Sequence, residues 1–213
     1  MPIYHRDVAL VGAQGHGRTS LAAAISRVVR DRRPDLNAGM TTFDQLHDAP
    51  THAPREQGGM GFAMSRLDYS LPMQTYSLFD CPTYDDYLTA LDQDALPRTW
   101  AILVVNGATG PTDATSDAFR LLARTKTADG STPATPHVAI AFTHADQLAD
   151  EGKRETLSRQ AAARLMQLGV TFNADRPTAW LSPAKALDGD MEEADRFLGF
   201  LKAADEFFPR PGR

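Results

Sequence analysis

The chain has one cysteine, Cys81, in 213 residues, so no intramolecular disulfide can close and the fold has to rest on packing and hydrogen bonding. That usage suits a reducing compartment, and a cytoplasmic protein is the expectation. Long apolar runs are missing as well. Nothing approaches the roughly 18 consecutive apolar residues of a membrane span, and the opening Met-Pro-Ile-Tyr-His-Arg-Asp does not lead from a basic segment into an apolar one. Positive charge is not in excess: a formal charge of −5 gives no long-range attraction for nucleic acid or anionic lipid. We therefore expect no membrane partner and no direct nucleic-acid binding by this domain alone. Internal repeats are absent.

What remains is 42% hydrophobic and 23% charged, enough for one well-buried core in which helices cover a sheet. A single domain over residues 1–213 is expected. Residues 7–11 (DVALV) form a short β-rich run, 12–17 a glycine-rich turn, and 19–30 (TSLAAAISRVVR) an apolar pattern at helical spacing. That helix should stop before Pro34, with Arg27, Arg30, Arg32 and Arg33 at its negative pole. Nucleic-acid contact is the alternative reading of those arginines. Residues 36–63 hold no sustained period and read as a long irregular segment, the kind that is functional or mobile.

Residues 67–71 and 75–79 alternate across Pro72-Met73-Gln74 as a hairpin, and 101–105 (AILVV), 137–142 (HVAIAF) and 178–181 (TAWL) read as buried strands. Helical patterns lie at 113–126, 151–168 and 191–208, and 128–136 is a polar surface loop. Strands alternating with helices imply an α/β fold, a mostly parallel six-stranded sheet with helices on both faces.

Between the first strand and helix, Gly12-Ala13-Gln14-Gly15-His16-Gly17-Arg18-Thr19 fits the phosphate-loop pattern G-x-x-x-x-G-K-[ST] except at the lysine. Glycines in that pattern let backbone N–H groups turn inward around phosphate oxygens at the positive end of the helix, and the Thr19 hydroxyl would face Mg²⁺. Arg18 puts a planar guanidinium where a compact ammonium is usual. Losing a charged hydrogen bond costs about 1.5–3 kcal/mol, roughly 10- to 150-fold in affinity, which binding survives more easily than chemistry does. A turn kept only for strand-to-helix packing, with no ligand, is the competing explanation.

The loop's His16-Gly17-Arg18-Thr19-Ser20-Leu21, followed by Ala22-Ala23-Ala24-Ile25, resembles the G domain of elongation factor Tu, a translational GTPase with a P-loop, Ras-like fold. Phe43-Asp44-Gln45 and Asp48-Ala49-Pro50 resemble that family's segment before switch I. Asp80-Cys81-Pro82 with Asp86-Tyr87 resembles its D-C-P-G-H-x-D-Y motif, Ala101 to Val105 with Gly110-Pro111 its next strand and turn, and Ser182 to Asp190 its S-A-L-K-A-L-E-G-D. The similarity runs from about residue 7 onward in the family's order, and the chain ends where the family's two β-barrel domains would begin. By resemblance, Gly12, Gly15, His16, Gly17, Arg18, Thr19 and Ser20 surround the phosphates of GDP or GTP. Thr19 and Asp80 face Mg²⁺, and Asp146 and Ser182 face the guanine.

Departures from the pattern bear on each step. The guanine motif N-K-x-D is Thr143-His144-Ala145-Asp146 here, keeping the aspartate that pairs with the base but losing the asparagine that ties the motif to the phosphate loop. His144 is either a stacking imidazole or a surface histidine, and Pro183, after Ser182, has no N–H to offer the base. Guanine recognition is expected to weaken. Thr83 stands at the switch II glycine, where its β-branch restricts a backbone flip, and Gly61 stands near the switch I threonine without a hydroxyl for metal. Asp80 is a water-mediated metal contact or merely a capped strand end. Tyr84 occupies the catalytic histidine position, and its phenol, with a pKa of about 10, is a poor orienter of water.

These changes together imply a pseudo-GTPase with weak binding of guanine nucleotide and little or no hydrolysis, since losses at separate sites add as free energies. Two alternatives stand beside it: a nucleotide-free module that engages a protein partner through the same surface, and an active GTPase that needs an activator. Contact with the translation machinery is implied by the resemblance alone.

Overall fold

The computed structural model describes residues 4–37, 51–52, 62–72, 74–81, 83–92, 100–124, 137–168 and 175–208. Five parallel strands and one antiparallel edge strand form a six-stranded sheet in the order β4-β5-β1-β6-β7-β8. They are β1 (Tyr4–Val11), β4 (Ser65–Leu71), β5 (Gln74–Asp80), β6 (Trp100–Asn106), β7 (His137–Thr143) and β8 (Thr178–Trp180). A separate two-residue ladder joins β2 (Thr51–His52) to β3 (Phe62–Ala63). The helices are α1 (Arg18–Arg32), α2 (Tyr84–Asp92), α3 (Asp113–Arg124), α4 (Glu151–Gln167), α5 (Pro183–Leu187) and α6 (Met191–Phe207).

The central strands read as continuous apolar runs because both of their faces are covered, which is the rule for parallel strands in α/β sheets. Val8 and Leu10 of β1 point to a core shared with Leu21, Ile25 and Val28 of α1 and Phe197 and Leu201 of α6. Their neighbours Ala9 and Val11 point the other way, to Tyr87 of α2 and Ala161 and Leu165 of α4. The hairpin expected across residues 72–74 is present, with Leu71 paired to Gln74. Strand β1 begins earlier than the apolar run suggests because Tyr4, His5 and Arg6 continue the ladder with β5.

Helices α2 and α5 have no counterpart in the periodicity. Two turns of α2 begin at a cap rather than an apolar stripe, and α5, only five residues long, cannot display a period. The expected loop at 128–136, the motif residues at 43–50, Pro82 and Gly61 lie outside the described residues, as does most of the irregular segment 36–63. No helix among the described residues is long and apolar enough to cross a membrane. The arginines closing α1 do not form an open basic stripe: Arg27 and Arg30 pair with Asp31, Arg32 with Asp195 and Arg33 with Asp35. Cys81 is buried, and that burial pushes its thiol up to about 12, so it stays protonated and unreactive at neutral pH.

A fully buried arginine closes the sheet against α6. Arg6, 0% exposed, donates from Nη1 to Tyr76 Oη (3.1 Å) and to the Asp205 backbone carbonyl (3.1 Å), and from Nη2 to the Phe208 carbonyl (2.9 Å). Its guanidinium also pairs with the Asp205 carboxylate at 3.2 Å and lies near the rings of Tyr76 and Trp100. A buried charge of this kind is tolerated only when paired and hydrogen-bonded. Arg6→Ala is expected to lower the unfolding free energy by about 3–5 kcal/mol, read from the urea midpoint at constant m-value; a loss under about 1 kcal/mol would contradict the role given to this cluster.

Candidate functional site

Because β1, β5, β6, β7 and β8 run parallel, the segments that follow them gather at one edge of the sheet. The chain leaves β1 with β5 on one side and β6 on the other, and in open α/β sheets ligands bind in the crevice at such a point, outside the carboxyl ends of the strands. The loop from Gly12 to Gly17 occupies that crevice. Gly12 passes so close to β6 that a Cβ would sit 2.4 Å from the Val104 carbonyl oxygen, which excludes any other residue. Gly15 and Gly17 adopt φ of 77° and 80°, a region glycine enters at little cost. No side chain caps the start of α1 and no acidic residue lies in its first turn, whereas Asp150, Ser182 and Asp190 cap α4, α5 and α6. The amides at the start of α1 thus form the positive pole of a buried helix directed at the loop. Ser20 is half-buried in that first turn.

Arg18 and Thr19 both turn toward the end of β5. The Thr19 hydroxyl donates to Asp80 Oδ2 at 2.6 Å, and Arg18 Nη1 lies 3.5 Å from Asp80 Oδ1, an ion pair without a well-formed hydrogen bond. Asp80 is 3% exposed and Arg18 is 9% exposed, so the pair is largely out of water. The buried ring of His16 places Nδ1 3.3 Å from the Val104 carbonyl.

At the far side of the loop, Thr143 makes the tie that an asparagine would make in the resembled motif. Its fully buried hydroxyl donates to the His16 carbonyl at 2.7 Å, with the Val105 carbonyl at 3.3 Å. His144 Nδ1 lies 2.9 Å from the same hydroxyl, and since the Thr143 proton is directed at His16, this contact assigns a proton to Nδ1. His144 adopts a left-handed conformation, φ 56°, which sets its ring beside Gly17. The departure at Thr143 therefore leaves the loop-to-strand connection intact.

Asp146 and Ser182 also meet. Ser182 Oγ donates to Asp146 Oδ1 at 2.6 Å, and this hydrogen bond holds the Asp146 carboxyl below the usual carboxylate range, ionised at neutral pH. The side chain is exposed, so donors from outside the protein can reach the carboxylate. The Ser182 backbone N–H is already given to the buried carboxylate of Glu193 at 2.7 Å. Arg154 fixes the turn that carries Asp146, donating to the carbonyls of Ala145 and Leu148 at 2.8 Å each and lying over Trp180, itself stacked on Phe142.

On the β5 side, Thr83 is the N-cap of α2. Its hydroxyl donates to Asp86 Oδ2 (2.6 Å) and lies 3.1 Å from the Asp86 N–H, its carbonyl accepts from Tyr87, and Asp86 Oδ1 accepts the Ala63 N–H of β3 at 2.7 Å. Tyr84 is the first residue of that helix. Sequence reasoning missed Glu193, Arg154 and the Thr83–Asp86 cap. Only the last had a local signal, the T-x-x-D form of a capping box. No known family model matches the chain.

The site carries its own pH signature. Burial depresses the His16 pKa below 6.5, opposed by the Val104 carbonyl and reinforced by Arg18 and His144. A histidine kept neutral in the fold binds fewer protons than in the unfolded chain, so its contribution is fully present above the unfolded pKa and is lost as pH falls from there through the depressed folded pKa. His137, depressed by burial, acts in the same direction. Wild-type stability should therefore fall as the pH drops below about 6.5, and His16→Asn should flatten that fall, the remainder belonging to His137. Equal slopes in urea titrations of the two proteins would remove His16 from this account.

Proposed function

We propose that the chain is a G domain similar to that of elongation factor Tu, with a P-loop, Ras-like α/β fold, that binds guanine nucleotide weakly and hydrolyses GTP little or not at all. The observation that carries this reading is the junction of two distant segments: the loop from Gly12 to Thr19 is hydrogen-bonded through Thr143 to the turn on which Ser182 orients the Asp146 carboxylate. An ionised carboxylate at that position is complementary to guanine, whose ring N–H and exocyclic amine present two donors on one edge. Adenine offers no such pair. Phosphates would meet the amides at the start of α1, where no side chain competes for them.

Weak binding follows from what the base end lacks. The N–H of Ser182 is taken by Glu193, and Pro183 has none, so these two residues offer no donor to the guanine carbonyl. Slow chemistry follows from the phosphate end. Hydrolysis needs a positioned water and a segment that responds to the γ-phosphate, but Tyr84 replaces the resembled histidine and Thr83 is committed to capping α2.

A nucleotide-free interaction module is the second reading, favoured by the Arg18–Asp80 pair, which gives the loop's cation a partner inside the protein. Calorimetric titration of GDP, GTP and ADP into nucleotide-free protein separates the two. We expect GDP and GTP to bind in the micromolar-to-millimolar range and ADP to give no heat. Asp146→Ala should weaken GDP by roughly 10- to 150-fold, as expected for removal of a charged hydrogen-bond acceptor, with phosphate release at the no-enzyme level throughout. Absence of heat at millimolar GDP would sink this reading and favour the module.

A further inference from the structure

Asp80 already has a cation. It is almost wholly buried at the end of β5, its Oδ2 accepts the Thr19 hydroxyl at 2.6 Å, and the Arg18 guanidinium stands 3.5 Å from its Oδ1. Thr19 and Asp80 are the two residues on which the resemblance would seat Mg²⁺. That ion demands six oxygens near octahedral geometry, at about 2.0–2.1 Å. Here the Asp80 carboxylate is held against a fixed positive charge in a poorly solvated environment, where like charges repel most strongly. The arrangement does not fit a divalent cation.

We propose that the Arg18 guanidinium, seated on Asp80, stands in for the metal and makes the site's binding of a nucleoside diphosphate independent of divalent cations. The proposal rests on the guanine-nucleotide reading above. Arginine suits this role better than lysine. Its charge is permanent, it is more weakly hydrated than an ammonium, and its planar fork carries five N–H donors in a geometry matched to both carboxylates and phosphate oxygens. Residue 18 opens α1, and its guanidinium shares the Asp80 carboxylate with the Thr19 hydroxyl, so it stands next to the side chain on which the resemblance would seat the metal. The chain thereby exchanges a dissociable cation, which would have to be recruited together with the ligand, for one built into the fold.

Two arms test this. In the first, a fluorescent GDP is titrated into nucleotide-free protein in EDTA and in millimolar Mg²⁺. The wild-type dissociation constant should differ by less than about threefold, and Arg18→Ala should bind at least about tenfold more weakly in EDTA. A wild-type affinity that rises more than about tenfold with Mg²⁺ overturns the proposal. In the second arm no nucleotide is present and the thermal midpoint is followed as Mn²⁺ is added. The wild-type midpoint should not move, whereas Arg18→Ala, with Asp80 left uncompensated, should be stabilised. A wild-type midpoint that rises with Mn²⁺ and no longer does so in Asp80→Asn, or an Arg18→Ala midpoint that Mn²⁺ leaves unmoved, overturns it. If Arg18→Ala does not fold, Arg18→Gln replaces it in both arms. Should GDP fail to bind in every condition, the functional reading falls, and the Mn²⁺ arm alone decides whether Arg18 holds the cation position.

Discussion

One hydroxyl joins the two halves of the site. Thr143 ends β7, the loop that ends at α1 starts at β1, and β6 separates them in the sheet, so nothing in the strand ladder itself sets the height of the loop over β7. The hydrogen bond from Thr143 to the His16 carbonyl does so, from a position with no access to water. A buried carbonyl left without a donor costs about 1–3 kcal/mol, enough to favour one loop height over its neighbours. With the loop fixed, Gly17 lies beside the His144 ring, and the turn carrying Asp146 takes its orientation from the same strand end. The distance between the proposed phosphate and base contacts is thus set by a residue that touches neither.

Local sequence revealed those elements whose formation is a local matter. Strands β6 and β7 are covered on both faces, so burial alone makes them apolar without interruption, and α1 shows its period because it packs along the sheet for four turns. Strand β8, only three residues long, is legible as part of the apolar run at 178–181, while α5 is too short to show a face. Helix α2 was hidden differently. Its start falls inside the resembled motif at 80–82 and 86–87, and the local signal there is the cap at Thr83 with a carboxylate three residues later, a helix-start pattern in its own right.

The pairs that decide the site's chemistry were not legible, and the reason is physical. Arg18 with Asp80, Ser182 with Glu193 and Arg154 with the Ala145 carbonyl each connect segments that only the tertiary fold brings together. Residue type announces that Arg18 carries a charge, but whether that charge faces solvent, a ligand or a buried carboxylate depends on where β5 ends. The same holds for Thr143. As a change of residue type it implies a lost tether, but a hydroxyl at the end of a fully buried strand has few acceptors within reach, and the His16 carbonyl is one of them.

Under the proposed reading the two ends of the site depart unequally from the resembled pattern, and the physics of binding and of catalysis accounts for the direction. Binding sums contributions, so a base contact through Asp146 and amides at the start of α1 retain value when other contacts weaken. Catalysis requires several groups to be in position at once in the transition state, and losing any of them removes most of the effect of the rest. A switch adds a further demand, a segment with two accessible arrangements. Thr83 works against that, because its hydroxyl and carbonyl both stabilise the first turn of α2, and Asp86 at once completes the cap and anchors β3. A helix start held by three such contacts has one strongly preferred arrangement. Under the proposed reading, occupancy of the base and phosphate contacts would therefore register as added stability of the crevice rather than as movement of α2, and a partner that distinguishes the bound from the empty protein would have to read the loop, Arg18 and the Asp146 turn directly.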